Sequence, residues 1–264
     1  LGPYNPLIHE VRHHNGQSLV SKKVYNLLKG SEIQNQLEKQ LQDPYSFRCT
    51  PQVLGAVYDT FVHVKKVFEN ELNSVTDNPL IFAKEKEILS GGNFHGEPLA
   101  IAIDSLAIAI SEIASLSERR IFKLVSGQRG LPEFLVANQG LNSGLMISQY
   151  TAASIVSQNK QLAVPSSVDT MDSSNGQEDH VSMAANAGTK LYQLTEHIYR
   201  VLSMELLTAA QAIEFRNAAE LAPNTAMLYN SFREKVTALD DDRAMYIDMD
   251  AAFDFLLSLD LSQF

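Results

Sequence analysis

The stretch EPLAIAIDSLAIAISEIASLSERRIFKL, residues 97–124, decides the fold. Leu99, Ile101, Ile103, Leu106, Ile108, Ile110 and Ile113 fall on nearly all sides of a helical wheel, with small Ala and Ser between them. A helix apolar all round needs several neighbours to cover it. Working outward, the chain supplies several of them, and other copies of the chain are expected to supply part of the cover. Thr50 and Pro51 form a helix start, a hydroxyl N-cap followed by proline at the first helical position. Val53, Val57, Phe61, Val64 and Phe68 then recur at spacings of three and four, which predicts a core-facing stripe. Further helices are predicted over 143–162 and 178–214, the latter about 50 Å long at 1.5 Å per residue. Shorter ones are predicted over 18–28, 32–41, 224–238 and 251–259. The one strand-like candidate is a hairpin in NPLIFAKEKEILSGG, where LIF and EIL flank a charged tip. The expected fold class is all-α, a long-helix bundle with at most a short hairpin, in one domain over 1–264.

The composition is that of an ordinary globular chain: 264 residues, 45% hydrophobic and 20% charged. A net charge of -10 argues against nucleic acid as a partner. The single cysteine, Cys49, excludes an intrachain disulfide framework and a Cys-rich zinc module, and a cytoplasmic location is expected. No uninterrupted run of about 18 apolar residues is present, so no membrane association is expected. Residues 1 to about 30, opening LGPYNPLIHEVRHHNGQ without a methionine, are expected to be a poorly ordered or linking segment of a longer protein, relieved by the helix over 18–28.

Three polar clusters interrupt the helices. LQDPYSFRCTPQ (41–52) packs Gln42, Asp43, Tyr45 and Arg48 into seven residues stiffened by Pro44 and Pro51. Arg48 offers a planar fork suited to a carboxylate, and Tyr45 a phenol able to donate or accept a proton. The bland alternative is a rigid loop in which Arg48 pairs with Asp43. SGGNFHGEP (90–98) lacks the Lys and Ser/Thr of a phosphate loop, and its His95 and Glu97 lack the spacing of a zinc helix, so no metal is expected. The structural reading is a glycine-permitted turn into the apolar helix, capped by Asn93, with Phe94 filling core. In SSVDTMDSSNGQEDHVSMAANAG (166–188), Glu178, Asp179 and His180 stand where the longest helix is predicted to begin. They are read either as acids stabilised by its N-terminus or, for Glu178, as a general base or ion-pair partner for a cationic substrate. No Gly-x-Ser-x-Gly elbow is present, so the NSG of 142–144 is read as a helix start. His13 and His14 are assigned nothing.

Taken in order and at their spacings, QDPYSFRCTPQ, ELNSVTDNPLIF, LSGGNFHGEPLA, SLSERRI, GLNSGLMISQYTAA and GQEDHVSM resemble the aromatic amino acid lyase family and, within it, the histidine ammonia-lyases. The resemblance covers about 30–216, with a looser match after Asn217. It implies the helical bundle and tetrameric assembly shared with fumarase and aspartase, with active sites drawing on several chains. It also implies elimination of ammonia from L-histidine to give urocanate, and a methylidene-imidazolone (MIO) electrophile formed from an internal Ala-Ser-Gly. No Ala-Ser-Gly occurs in these 264 residues. The expectation is therefore the C-terminal half of such an enzyme, inactive alone and completed by an upstream segment.

By the same resemblance Arg48 binds the substrate carboxylate, Tyr45 lies near the electrophile and substrate, Gln42 supports that site, and Phe94 packs close to the prosthetic group. Glu178 matches the glutamate of histidine-specific members, where phenylalanine and tyrosine lyases tend to carry glutamine. Two alternatives stand beside this reading: a tyrosine or phenylalanine ammonia-lyase or aminomutase, and a non-catalytic helical oligomerisation domain.

Overall fold

The computed structural model describes residues 2–35 and 41–263. Nine α-helices are found among them: α1 (Pro6–Glu10), α2 (Asn15–Leu28), α3 (Tyr45–Arg48), α4 (Thr50–Glu71), α5 (Glu97–Val125), α6 (Met146–Leu162), α7 (Ala184–Ile213), α8 (Pro223–Arg233) and α9 (Met245–Ser258). The sheet is the expected hairpin, β1 (Leu80–Phe82) paired antiparallel with β2 (Glu87–Leu89), Ile81 opposite Ile88. The Asn78 side chain closes its base, its Oδ1 accepting from Ser90 Oγ and Gly91 N, both at 2.9 Å.

α5 is the axis. α4 and α6 run antiparallel to it and α7 runs parallel, as the cross-links show. Gly96, before the start of α5, lies against Ser182 and Ala184 at the start of α7. Far along both helices, Arg120 grips Glu205. The face of α5 that is buried carries its small residues: Ala100, Ala107, Ala114 and Ile121 recur every seven positions and are at most 1% exposed. Small side chains let helices lie close, and α7 meets this stripe with Leu194, Ile198 and Val201. A second core at the far end of α5 gathers Val125, Leu135, Leu145, Leu207, Phe232 and Phe255, the two phenylalanines edge to face at 5.3 Å.

Several expectations are corrected by this packing. The α4 stripe is not all core, since Phe61 is about half exposed within the chain and Phe68 somewhat less; large residues of α5, Ile101 and Ile108 among them, are also about half exposed, where cover from other copies is expected. By length and mean hydropathy α5 could also cross a bilayer. Two of its acids are nonetheless built into the packing. Asp104 accepts from Ser167 N at 2.6 Å and Glu118 from Gln149 Nε2 at 2.9 Å.

The opening residues are not a linking segment. α1 carries a buried His9 whose two ring nitrogens meet Pro3 O and Gln17 Nε2, both at 2.9 Å. α2 crosses α4 backbone to backbone: a Cβ on Gly16 would stand 2.2 Å from Gly55 O, and one on Gly55 2.3 Å from Gln17 N. Only glycine fits at that crossing, and Gly16 N is tied there to Asp59 Oδ1 at 2.8 Å. The helix predicted over 32–41 is a 3-10 turn over Glu32–Asn35, and its remainder reaches outside the described residues. α7 starts at Ala184, six residues after Glu178, so Glu178 does not cap it.

Candidate active site

The first cluster is built on α3. Pro44 is extended and precedes the single turn Tyr45–Arg48, whose carbonyls are held from three directions. Ser46 O accepts from Thr50 Oγ1 at 3.1 Å and from Arg120 Nη1 at 3.5 Å, and Phe47 O accepts from Tyr4 Oη at 2.8 Å. Burial pushes the Tyr4 phenol up from its ordinary pKa, so it stays a neutral donor. On this braced turn Tyr45 is 71% exposed. The Arg48 guanidinium lies 4.6 Å over the Tyr45 ring and donates from Nη1 to Gln42 Oε1 at 2.7 Å. Gln42, Tyr45 and Arg48 are thus brought together. The bland pairing of Arg48 with Asp43 is not what forms. Asp43 accepts from Arg129 Nη1 at 2.7 Å, and no carboxylate among the described residues is within ion-pair distance of Arg48.

The second cluster stands at the start of α5. Gly91, Gly92 and Gly96 all lie outside the left-handed region, so the turn does not depend on glycine there; only Gly96, against Ser182 Oγ, sits where a Cβ would crowd a neighbour. Asn93 does not cap α5, whose N-cap is Gly96 without a side-chain bond. Phe94 does not fill core but projects outward, 55% exposed. The adjacent His95 joins its loop to the loop carrying Glu178. Glu97 N donates to His95 Nδ1 at 3.3 Å, which leaves the proton on Nε2, pointing at His180 O at 3.2 Å. The two imidazoles stack with centroids 5.5 Å apart. Glu178 is exposed on a narrow turn closed by the Ser173–Glu178 backbone bridge. Its carboxylate accepts from Ser173 Oγ at 2.6 Å, and hydrogen bonds from Ser173 and then Ser174 hold its pKa below the ordinary 4.5.

The two clusters lie at opposite ends of α5 in one chain. Arg120, which touches Ser46, is 23 residues from Glu97, or ~35 Å along the axis at 1.5 Å per residue. Phe94 and Glu178 thus share one end, and Gln42, Tyr45 and Arg48 the other.

Sequence comparison places these clusters among known proteins. The aromatic amino acid lyase profile matches residues 1–234. The chain belongs to the aromatic amino acid lyase family. The histidine ammonia-lyase of Caldanaerobacter subterraneus subsp. tengcongensis is 50% identical over 257 residues, covering 97% of this chain and 51% of that protein. That of Treponema denticola is 46% identical over 96% of this chain and 50% of its own length. Among solved structures, histidine ammonia-lyase from Trypanosoma cruzi superposes with a TM-score of 0.90 at 39% identity, over 97% of this chain and 49% of that one. The ergothionase of Treponema denticola, an ergothioneine-degrading enzyme, gives 0.92 at 31% identity, over 97% and 52%. The chain spans about half the length of the relatives it matches. The lyase family's helical fold is the one described above.

The supporting residues were not legible beforehand. Tyr4, Arg120, Glu205, Arg129, His95 and Ser173 all act on the clusters here through contacts made in three dimensions. The only prior signal was the polar density of the two loops and the ERR triplet inside an otherwise apolar helix.

Proposed function

We propose that the whole protein containing this chain is a carbon-nitrogen lyase that removes ammonia from L-histidine to give trans-urocanate. Arg48 takes the substrate carboxylate through its planar fork, Gln42 orients that fork, and Tyr45 stands beside it as a proton donor or acceptor. The proton to be removed sits on the carbon beta to the carboxylate and is only weakly acidic, so a fixed carboxylate and a placed base are both needed. Phe94, held outward, is the apolar ring that would lie against the MIO group, with Gln42 supporting it from the other cluster. When bound, MIO supplies an electrophile that weakens the bond to the departing amine. It would come from an Ala-Ser-Gly outside these 264 residues.

Glu178 carries the histidine assignment. It is a carboxylate held ionised by two serines, and an imidazole ring offers it an N–H or a cationic partner that a phenyl or phenol ring lacks. The separation of the clusters supports a site assembled from several copies, a homotetramer, with the half-exposed Ile101, Ile108 and Phe61 covered by neighbouring chains. The lone Cys49 fits a cytoplasmic enzyme.

The reading is tested by co-expressing this chain with an upstream segment containing Ala-Ser-Gly and following urocanate absorbance. Activity on histidine is expected, and Glu178→Gln should reduce histidine turnover more than any residual turnover of phenylalanine or tyrosine. A folded complex inert toward histidine, or a Glu178→Gln variant with unchanged turnover, overturns it.

A further inference from the structure

Asp43 presents a problem for a carboxylate-binding Arg48. It is five residues away, and its neighbour Gln42 already reaches Arg48 across the α3 turn, so the Asp43 carboxylate is within chain reach of the same guanidinium. A carboxylate from the chain would compete there with one from a ligand. In the structure Asp43 is drawn off instead. Arg129, 86 residues on, donates from Nη1 to Asp43 Oδ1 at 2.7 Å and from Nη2 to the Gln42 carbonyl at 3.1 Å.

Arg129 is itself held at a cost. Its φ is 58°, in the left-handed region that a long side chain seldom adopts. Arg216, just past the end of α7, donates to the carbonyls of both Arg129 and Gly130, the latter at 3.2 Å. The strained residue is thus fixed from behind while its side chain faces the α3 segment.

We propose that Arg129 is a positioning residue for carboxylate recognition, masking Asp43 so that the Arg48 guanidinium stays open to the substrate, with Arg216 bracing Arg129. The proposal rests on the reading that Arg48 binds the substrate carboxylate. It differs from a merely structural clamp in one respect: once the mask is gone, removing the charge it covers should repair the site.

The test uses the complete enzyme. Arg129→Ala should raise KM for L-histidine on the order of 2- to 5-fold, the scale of one partly exposed charge pair, with kcat within about twofold. It should weaken inhibition by urocanate, which carries a carboxylate, and leave inhibition by imidazole, which does not. Arg129→Lys, which keeps the charge, should stay near the parent. The double variant Arg129→Ala with Asp43→Asn should recover most of the lost affinity. A double variant no better than Arg129→Ala, or an Arg129→Ala that weakens urocanate and imidazole alike, overturns the mask while leaving Arg48 as the carboxylate site. If Arg48→Ala itself leaves KM and urocanate inhibition unchanged, the underlying reading fails and the proposal with it.

Discussion

Arg120 on α5 and Glu205 on α7 meet through two hydrogen bonds, Nη2 to Oε2 at 2.7 Å and Nε to Oε1, with side chains 13% and 19% exposed. A largely buried pair of this kind is held by geometry, and removing one partner strands the other charge. Arg120→Met is therefore expected to destabilise the folded chain by about 3 kcal/mol, whereas Arg120→Met combined with Glu205→Leu should recover most of it. Urea unfolding of the four members of this cycle measures both. Because Arg120 also touches Ser46 O, the single variant should speed amide exchange in α3 more than in α6.

Glu178 gives a pH-dependent prediction of defined sign. Its folded pKa is depressed, so its contribution to ordering the 173–178 turn is present above the ordinary 4.5 and is lost as pH falls through the lowered value. Ser173→Ala removes the first of the two hydrogen bonds responsible. Carboxyl-detected NMR titration should then show the Glu178 pKa moving up toward 4.5. An unchanged titration would mean that Ser173 does not set it.

The bundle was legible because its helices are long and their starts are marked, Thr50 with Pro51 most clearly. Periodicity did not decide which of two apolar faces of α5 packs inward. It weights Ile101 and Ile108 above Ala107 and Ala114, yet close approach by α7 selects the small residues. The crossing of Gly16 and Gly55 and the choice of Arg129 over Arg48 by Asp43 join positions 39 and 86 residues apart, and no local pattern encodes them. Within the loops, Gln42, Tyr45 and Arg48 stand out because they crowd into seven residues, and their roles come from the family resemblance. Glu178 was placed at a helix start because no breaker marks the six residues before Ala184.

His197 on α7 predicts acid sensitivity elsewhere. Its Nδ1 lies 2.8 Å from the buried Asn159 Oδ1, and desolvation, reinforced by Arg200 and opposed by Glu196, lowers its pKa below 6.5. A depressed folded value means that stability is full above 6.5 and declines as pH falls through the folded pKa, where the half-buried ring must charge. Unfolding free energy measured by urea between pH 7.5 and about 5 should therefore fall, and His197→Gln should flatten that slope. An equal slope in the variant assigns the effect to other groups.

The ~35 Å between the clusters makes the last prediction, since no side chain spans such a distance. In one chain Arg48 and Glu178 cannot reach the same small amino acid, so the proposed site would take them from different copies. Complete enzymes carrying Arg48→Ala alone or Glu178→Ala alone should each be nearly inactive. When the two are unfolded together and reassembled, some sites receive Arg48 from one chain and Glu178 from another, and activity should return to a fraction of the parent's. Were both residues supplied to each site by a single chain, every mixed assembly would lack one or the other and no activity would return. Recovery on mixing therefore separates a site shared between chains from one contained within a chain.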